Sequence, residues 1–382
     1  MSKGNKVRLV DICDFQGGSQ PPKEQWINEP KDGYIRMLQI RDFTQNREGH
    51  EEYIQINNNI KTCIDSDVLI ARYGASVGKI LTGLSGAYNV AIMKTIPDIY
   101  KLNKRYLRFF LLSNVFQNYI FSVGSRAAQA GFNKTDLIDI QIPVPPLEIQ
   151  KKIAQTLDTA SELLAMRKQQ LTELDNLNKS LFFDMFGDPV RNEKGWSKKH
   201  LGDKCKIITG NTPSRKDVEN YGNYIEWIKS DNLNIDGIYL SKASEYLSKK
   251  GFSICRFVDT PSVLMTCIAG SIKCIGNVGI ANRKVAFNQQ INAIVPNKNN
   301  VIFLYYLLFF SKEYIQSTVN MSLKGILSKG KLSELEFIFP PASLQNRFAS
   351  IVTKIEEQKT LVQKAIAETQ LLFDSLMSEY FE

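Results

Sequence analysis

The segment Tyr73-Gly74-Ala75-Ser76-Val77-Gly78-Lys79-Ile80 is where this sequence comes nearest to phosphate chemistry. A phosphate-cradling loop needs glycine at the first of these positions and serine or threonine at the last, so that backbone N–H groups wrap the phosphates and a hydroxyl meets the metal. Tyr73 and Ile80 stand there instead, which excludes that reading. No Gly-x-Gly-x-x-Gly run occurs, so the dinucleotide fingerprint is missing. An Asn/Asp-Pro-Pro-aromatic run, the signature of amino-methyltransferases, is also missing, because the Pro-Pro pairs follow Gln20, Val144 and Phe339. Pro97-Asp98-Ile99-Tyr100-Lys101 resembles a fragment of a nuclease motif but lacks the second carboxylate two residues before the lysine, so it builds no metal pair. His50 and His200 lie beside no nucleophile signature. Six cysteines with no Cys-x-x-Cys pair argue against zinc. Asp65 and Asp67 are spaced like paired carboxylates but read better as brackets of a strand start. The expectation is a chain with no catalytic residue, no metal and no cofactor of its own.

What remains is polar recognition. Lys and Arg exceed Asp and Glu by 48 to 39, a net charge of +9. Residues 1–141 carry 18 basic and 14 acidic side chains, and residues 190–336 carry 21 and 12. Residues 142–189 and 337–382 are each net −2. Two basic blocks joined by mildly acidic segments suit a polyanion touched at two places. In the major groove, Arg suits guanine and Asn or Gln suits adenine. The candidate DNA contacts near probable turns are Arg36, Gln39, Arg41, Arg72, Lys79, Arg126 and Gln129 in the first block. In the second they are Lys229, Asn232, Lys273, Arg283, Asn288 and Gln289.

The blocks must position these residues, and they repeat one another. Pro145-Pro146-Leu-Glu-Ile-Gln150 recurs as Pro340-Pro341-Ala-Ser-Leu-Gln345, 195 residues on. Upstream, Leu9-x-Asp11-x-Cys13 parallels Leu201-x-Asp203-x-Cys205, Gly18-x-x-Pro21 parallels Gly210-x-x-Pro213, and Tyr34-Ile35 parallels Tyr224-Ile225. Ala87-Tyr88-Asn89 likewise parallels Ala286-Phe287-Asn288. A run of matches in one order means duplication. Short β-like runs such as Tyr34–Ile40, Asp67–Tyr73 and Gln290–Val295, with one helical candidate per block (Tyr106–Phe121 and Phe303–Thr318), predict α+β domains. The organisation expected is a domain over 1–141, a long helix in 142–189, a second domain over 190–336 and a second long helix in 337–382.

Each long helix carries a heptad seam. The first holds Ile153, Leu157, Ala160, Leu164, Arg167, Leu171, Leu174, Asn178, Leu181 and Met185, with polar faults at Arg167 and Asn178. The second holds Phe348, Val352, Ile355, Lys359, Val362, Ile366, Thr369, Phe373, Leu376 and Tyr380, with faults at Lys359 and Thr369. Each seam is roughly 50 Å long at about 1.5 Å per residue. Such stripes gain stability by packing, and the simplest partner is the other helix, as an antiparallel coiled coil. In the register assumed, Arg167 meets Ile366, Leu164 meets Thr369, Leu174 meets Lys359 and Asn178 meets Ile355, so each fault faces an aliphatic residue rather than another fault.

Two divergent basic blocks, each followed by Pro-Pro-x-x-x-Gln and a long helix, resemble the specificity (S) subunit of type I restriction–modification enzymes. The resemblance rests on Ile142-Pro-Val-Pro-Pro146-Leu-Glu-Ile-Gln150, Phe339-Pro-Pro-Ala-Ser-Leu-Gln345, the Gly18 and Gly210 turns and the Tyr73–Lys79 loop. Phe287-Asn288-Gln289-Gln290-Ile291-Asn292 and Asp184-Met-Phe-Gly187-Asp188-Pro189 belong to it too. It implies two pseudo-symmetric target-recognition domains, each reading half of a split site in double-stranded DNA, with the coiled coil as spacer. It also implies partners: two methylation (M) subunits carrying S-adenosylmethionine chemistry, and restriction (R) subunits using ATP and Mg. One departure stands out. The second block's counterpart of the glycine-rich loop is Ile268-Ala-Gly-Ser-Ile-Lys-Cys274, which leaves Gly78 without a mate.

Two other classes compete with this reading. One is a non-catalytic coiled-coil scaffold joining two protein-binding domains, which has no need of positive blocks. The other is a fused enzyme that methylates alone, which needs a domain that a repeat filling 382 residues leaves no room for. The longest apolar run, Val301–Phe310, is too short to cross a bilayer. No apolar stretch follows the N-terminus and the cysteines are scattered, so a cytoplasmic protein without a membrane partner is expected.

Overall fold

Both blocks build the same pair of four-stranded sheets in the computed structural model, which describes residues 4–45, 50–124, 131–233, 237–319 and 325–382. In the first block one sheet runs Cys13–Gly17, Ile92–Pro97, Leu69–Ala71, Ile80–Leu81, all antiparallel. The other runs Tyr53–Gln55, Tyr34–Leu38, Gly86–Tyr88, Thr62–Cys63, with a parallel step between the middle pair. The second block repeats both orders. Its sheets are Cys205–Thr209, Ile291–Pro296, Ser262–Thr266, Val278–Ala281 and Tyr246–Leu247, Tyr221–Ile228, Val285–Phe287, Phe257–Val258. The parallel step recurs, pairing Met37 with Ala87 in one block and Trp227 with Ala286 in the other.

The two long helices are Leu147–Phe186 and Ala342–Phe381, 40 residues each. The chain divides into two units, 1–168 with 365–382, and 169–364. Each unit is one block completed by parts of both helices. In the first, Ile153, Ala154 and Leu157 from the start of one helix and Met377 and Phe381 from the end of the other join a core of Tyr106, Phe109, Phe110 and Phe116. In the second, Phe348, Ala349 and Val352 join Phe182, Phe186 and Phe303. Phe381 lies 5.1 Å from the Tyr106 ring, and Phe186 lies 4.9 Å from Phe303. Phe182, Phe186 and Phe381 lie outside the heptad seam and supply what the seam alone does not, a plug into a globular core.

Each predicted block helix is in fact two. Lys104–Leu112 and Asn114–Gly124 are broken at Ser113, whose backbone is extended (φ −69°, ψ 155°) and whose Oγ donates to the Phe110 carbonyl at 2.6 Å. Val301–Phe310 and Lys312–Ser317 are broken at the equivalent Ser311. At Ser113 the hydroxyl competes with the helix for a backbone carbonyl and so favours the break. Val301–Phe310 is apolar on every side because the fold surrounds it: Ile302 through Leu308 are all buried. Among the described residues no helix is long and apolar enough to cross a membrane, and no group of three or more His, Cys, Asp or Glu could hold a metal.

The seam residues Leu157, Leu164, Val352, Ile355 and Val362 are buried, and Leu171, Leu174, Leu181, Ile366, Phe373 and Leu376 are half-buried. The expectation that each polar fault faces an aliphatic residue fails: the faults find polar partners, each beside or within one turn of the position the register assigned. Within the first unit, Arg167 donates to Thr369 Oγ1 and to the Ala365 carbonyl. Within the second, Asn178 Nδ2 and Lys359 Nζ both meet Glu356 Oε1, at 2.9 and 3.0 Å, and Lys359 also meets Asp175 at 2.7 Å. A buried polar group needs a partner, and long side chains reach a turn along the helix to find one. A one-line seam misses Glu356 and Asp175, which flank it.

Candidate nucleic-acid interface

The repeated motifs are mostly structural latches. Gln150 is fully buried; its Oε1 accepts from Asn103 N at 2.9 Å and its Nε2 donates to the Lys101 and Pro145 carbonyls. Gln345 does the same with Asn300 N, Asn299 Oδ1 and the Pro340 carbonyl. Asn103 and Asn300 in turn cap the N-termini of Lys104–Leu112 and Val301–Phe310. Pro-Pro-x-x-x-Gln therefore ties each long helix to a helix of its own block. The first long helix ends at Gly187 (φ +75°), a conformation that suits glycine, and Asp188 Oδ1 accepts from Val190 N and Arg191 N.

The glycine turns answer a close approach. A Cβ on Gly18 would lie 2.1 Å from the Asn89 carbonyl, and one on Gly210 would lie 2.1 Å from that of Asn288. This is why Gly18 and Gly210 travel with the Tyr/Phe-Asn segments. Gly78, which lacked a mate in the sequence, has one in Gly276. Both have positive φ (+83° and +81°), and a Cβ would press on Gln117 in one unit and on Lys312, 195 residues later, in the other. The loop before each glycine differs in length, which hid the match.

Among the described residues the predicted contacts fall into three groups, with Arg72 apart from them. Asn232 and Asn288 are buried, and their side chains bond to their own loops. Asn232 accepts from Lys229 N and donates to Ser241 Oγ and the Lys242 carbonyl. Asn288 bonds to Gln290 through both its side-chain atoms. Arg36, Gln39, Arg41, Lys229 and Arg283 are half-buried and held by carboxylates. Arg36 pairs with Glu51 (2.8 Å) and Asp42 (3.7 Å), and Arg283 grips Glu226 with two nitrogens at 2.5 and 3.1 Å. Arg283 holds Glu226 below its ordinary pKa through that hydrogen bond and charge. Lys79, Lys273 and Gln289 are exposed, with Gln289 accepting from Thr212. Arg72 lies 4.9 Å over the Tyr73 ring and bonds to Asn133 and to the Phe132 carbonyl. Arg126 and Gln129 lie outside the described residues.

Sequence reasoning passed over two acids. Glu52 and Glu245 occupy one structural position, since the Glu52 carbonyl accepts from Met37 N and the Glu245 carbonyl from Trp227 N. Glu52 binds Lys23 (2.7 Å), Gln39 (2.6 Å) and Arg41 (2.5 Å); Glu245 binds Lys229 and Arg215 (2.8 Å). Burial alone would raise the Glu52 carboxyl, but hydrogen bonding and charge from Lys23 and Arg41 outweigh it, so it sits below its ordinary value. A signal was present in the sequence, for Glu52-Tyr53 recurs as Glu245-Tyr246.

The model of the type I restriction modification DNA specificity domain matches residues 1–176 and 193–370. Curated relatives include the MjaVIII specificity subunit of Methanocaldococcus jannaschii, 22% identical over 94% of this chain and 84% of its own length. The MjaIX specificity subunit of the same organism is 24% identical over 97% and 90%. In fold, the chain is similar to the S subunit of a type I restriction–modification system from M. genitalium, at a TM-score of 0.62 and 16% identity over 99% of this chain and 96% of that one. It is also similar to a chain from a structure of a type I R-M system, at a TM-score of 0.59 and 17% identity over 98% and 97%.

Proposed function

Because this chain belongs to the type I restriction modification DNA specificity family, we propose that it reads the DNA target of such a system. Each recognition domain takes one half of a bipartite double-stranded site, and the two long helices set the spacing between the halves. The chain directs two methylation subunits, and restriction subunits where the host has them, to that site. It contributes no catalytic step, and S-adenosylmethionine, ATP and Mg belong to the partner subunits. The observation that carries this reading is the duplicated domain with one strand order and different polar side chains at matched positions, for example Arg36 against Glu226 and Arg41 against Asp231. That is the arrangement two half-sites of different sequence require. Direct contacts would come first from the exposed Lys79, Lys273 and Gln289 and from the carboxylate-held Gln39, Arg41 and Lys229.

The test is to map modified bases in host DNA with and without this gene, and to measure duplex binding by the assembled complex against salt concentration. The expected result is loss of one bipartite methylation pattern and an affinity that falls steeply with salt. An unchanged pattern, or methyl transfer by the purified chain given only S-adenosylmethionine, would overturn the proposal.

A further inference from the structure

We infer that Glu52 and Glu245 are matched positioning residues, each holding the variable polar side chains with which its domain reads DNA. The inference rests on the DNA-reading function proposed above and deepens it. The first ground is equivalence. Both acids follow the same strand pairing, with Tyr53 opposite Arg36 and Tyr246 opposite Glu226. The second is the identity of what they hold. Each binds the side chain of the residue that precedes a short helical turn, Gln39 before Ile40–Thr44 and Lys229 before Ser230–Asn232. The backbone N–H of each of those residues is fixed in the same way, Gln39 N by Asp42 Oδ2 at 2.6 Å and Lys229 N by Asn232 Oδ1 at 3.0 Å. Each acid also binds a cation from the segment after the glycine turn, Lys23 or Arg215. That cation lies over an aromatic ring, Lys23 at 4.2 Å from Trp26 and Arg215 at 4.6 Å from Tyr221.

The third ground is the pattern of change. Between the duplicated domains the acid keeps its place while what it holds changes: Gln39 becomes Lys229 and Lys23 becomes Arg215, and the Arg41 contact is dropped, since Asp231 stands there and has nothing to donate to Glu245. A residue needed only for folding would have its neighbours held with it. A fixed carboxylate beneath exchangeable donors is instead a mount. It limits the rotamers of long side chains before DNA arrives, which lowers the entropy lost on binding, and its charge penalises any base that does not satisfy the donors it holds.

The experiment compares wild type, Glu52→Gln, Glu52→Asp and Gln39→Ala in the assembled complex. The probes are a duplex with the mapped target, duplexes with one or the other half scrambled, and a duplex with both halves scrambled. Glu52→Gln should cost about tenfold in discrimination at one half-site, the size of one base-reading interaction. The same variant should bind the fully scrambled duplex more tightly, with a salt slope steeper by about one counterion, because a negative charge is gone and Lys23 and Arg41 are released. Gln39→Ala should lose discrimination at the same half-site without tightening the scrambled complex. Glu52→Asp keeps the charge but withdraws the carboxylate, so it should restore the salt slope and not the discrimination. Glu245→Gln should act on the other half-site alone.

Unchanged discrimination in Glu52→Gln overturns the inference. So does an equal loss at both halves, or a loss of scrambled-duplex affinity together with a lowered melting temperature, which would mark a folding role. A wild-type complex that fails to distinguish target from scrambled duplex overturns the DNA-reading function itself, and the positioning role with it.

Discussion

The two recognition domains share a scaffold and differ in how they use charge. Residues 1–141 are net +4 and residues 190–336 net +9. In the first, Lys23, Arg36 and Arg41 are all engaged by Asp42, Glu51 and Glu52. In the second, Arg283 is engaged by Glu226, while the exposed Lys242 and Lys284 line the same recess without an ion pair among the described residues. Both domains hold polar side chains with carboxylates, Glu52 in the first and Glu226 and Glu245 in the second, but the second carries more positive charge beyond those it holds. Held side chains favour discrimination, and free cations favour salt-sensitive attraction to phosphate. The predictions below test how far the scaffold is common and the charge use is not.

The largest effect should come from the matched plugs. Phe186→Ala and Phe381→Ala each remove a fully buried ring and should cost about 3–5 kcal/mol. Hydrogen exchange should show Phe381→Ala loosening the first unit and Phe186→Ala the second. If either variant loosened both units equally, the separation of the two cores would be wrong.

Gln150→Leu and Gln345→Leu come next. Each leaves a backbone N–H (Asn103 or Asn300) and neighbouring carbonyls without their partner, for about 2–3 kcal/mol. Equal losses in thermal unfolding would support one latch used twice, and a loss confined to one position would break the equivalence.

Asp67 sets the domains apart by pH. Its carboxylate is buried, which works to raise its pKa, but hydrogen bonds from Lys104 and Lys94 and from Ile64 N bring it down to about 2. A depressed carboxyl stabilises the fold above its unfolded pKa of about 3.9, and that stability is lost as pH falls toward the folded value, about 2.5 kcal/mol in all. The second block has Ser262 at the start of the equivalent strand, and no acid there. Acid unfolding between about pH 4 and 2 should therefore loosen the first unit first, and Asp67→Asn should remove that difference. Simultaneous loss of both units in the wild type would contradict it.

The smallest effect tests the two exposed lysines that have no ion pair among the described residues, one of which, Lys284, lies 4.7 Å over the Phe257 ring. Lys242→Ala and Lys284→Ala should each lower the salt slope of DNA binding by up to about one counterion, while Arg36→Ala should change it less. A larger change for Arg36→Ala would reverse the contrast drawn between the domains.

The duplication, the α+β class and the paired long helices were legible because each leaves a one-dimensional trace: an offset of 195, period-two strands and a heptad stripe. The sequence also located the Pro-Pro-x-x-x-Gln and Gly18/Gly210 motifs, because a buried amide or a glycine under a carbonyl tolerates few substitutes. Which polar residue meets which was not legible. Arg167 finds Thr369, Lys359 finds Glu356 and Asp175, and Gln39 finds Glu52, because a side chain's partner depends on register and rotamer. The same applies to Asn232 and Asn288, whose amides suit a base as well as a loop by type alone and are spent on the loop. Hydrophobic pattern along the chain determines which elements form and which faces they bury. Pairing among polar groups is decided by distances of about 3 Å between atoms far apart in sequence, and only the packed structure brings those together.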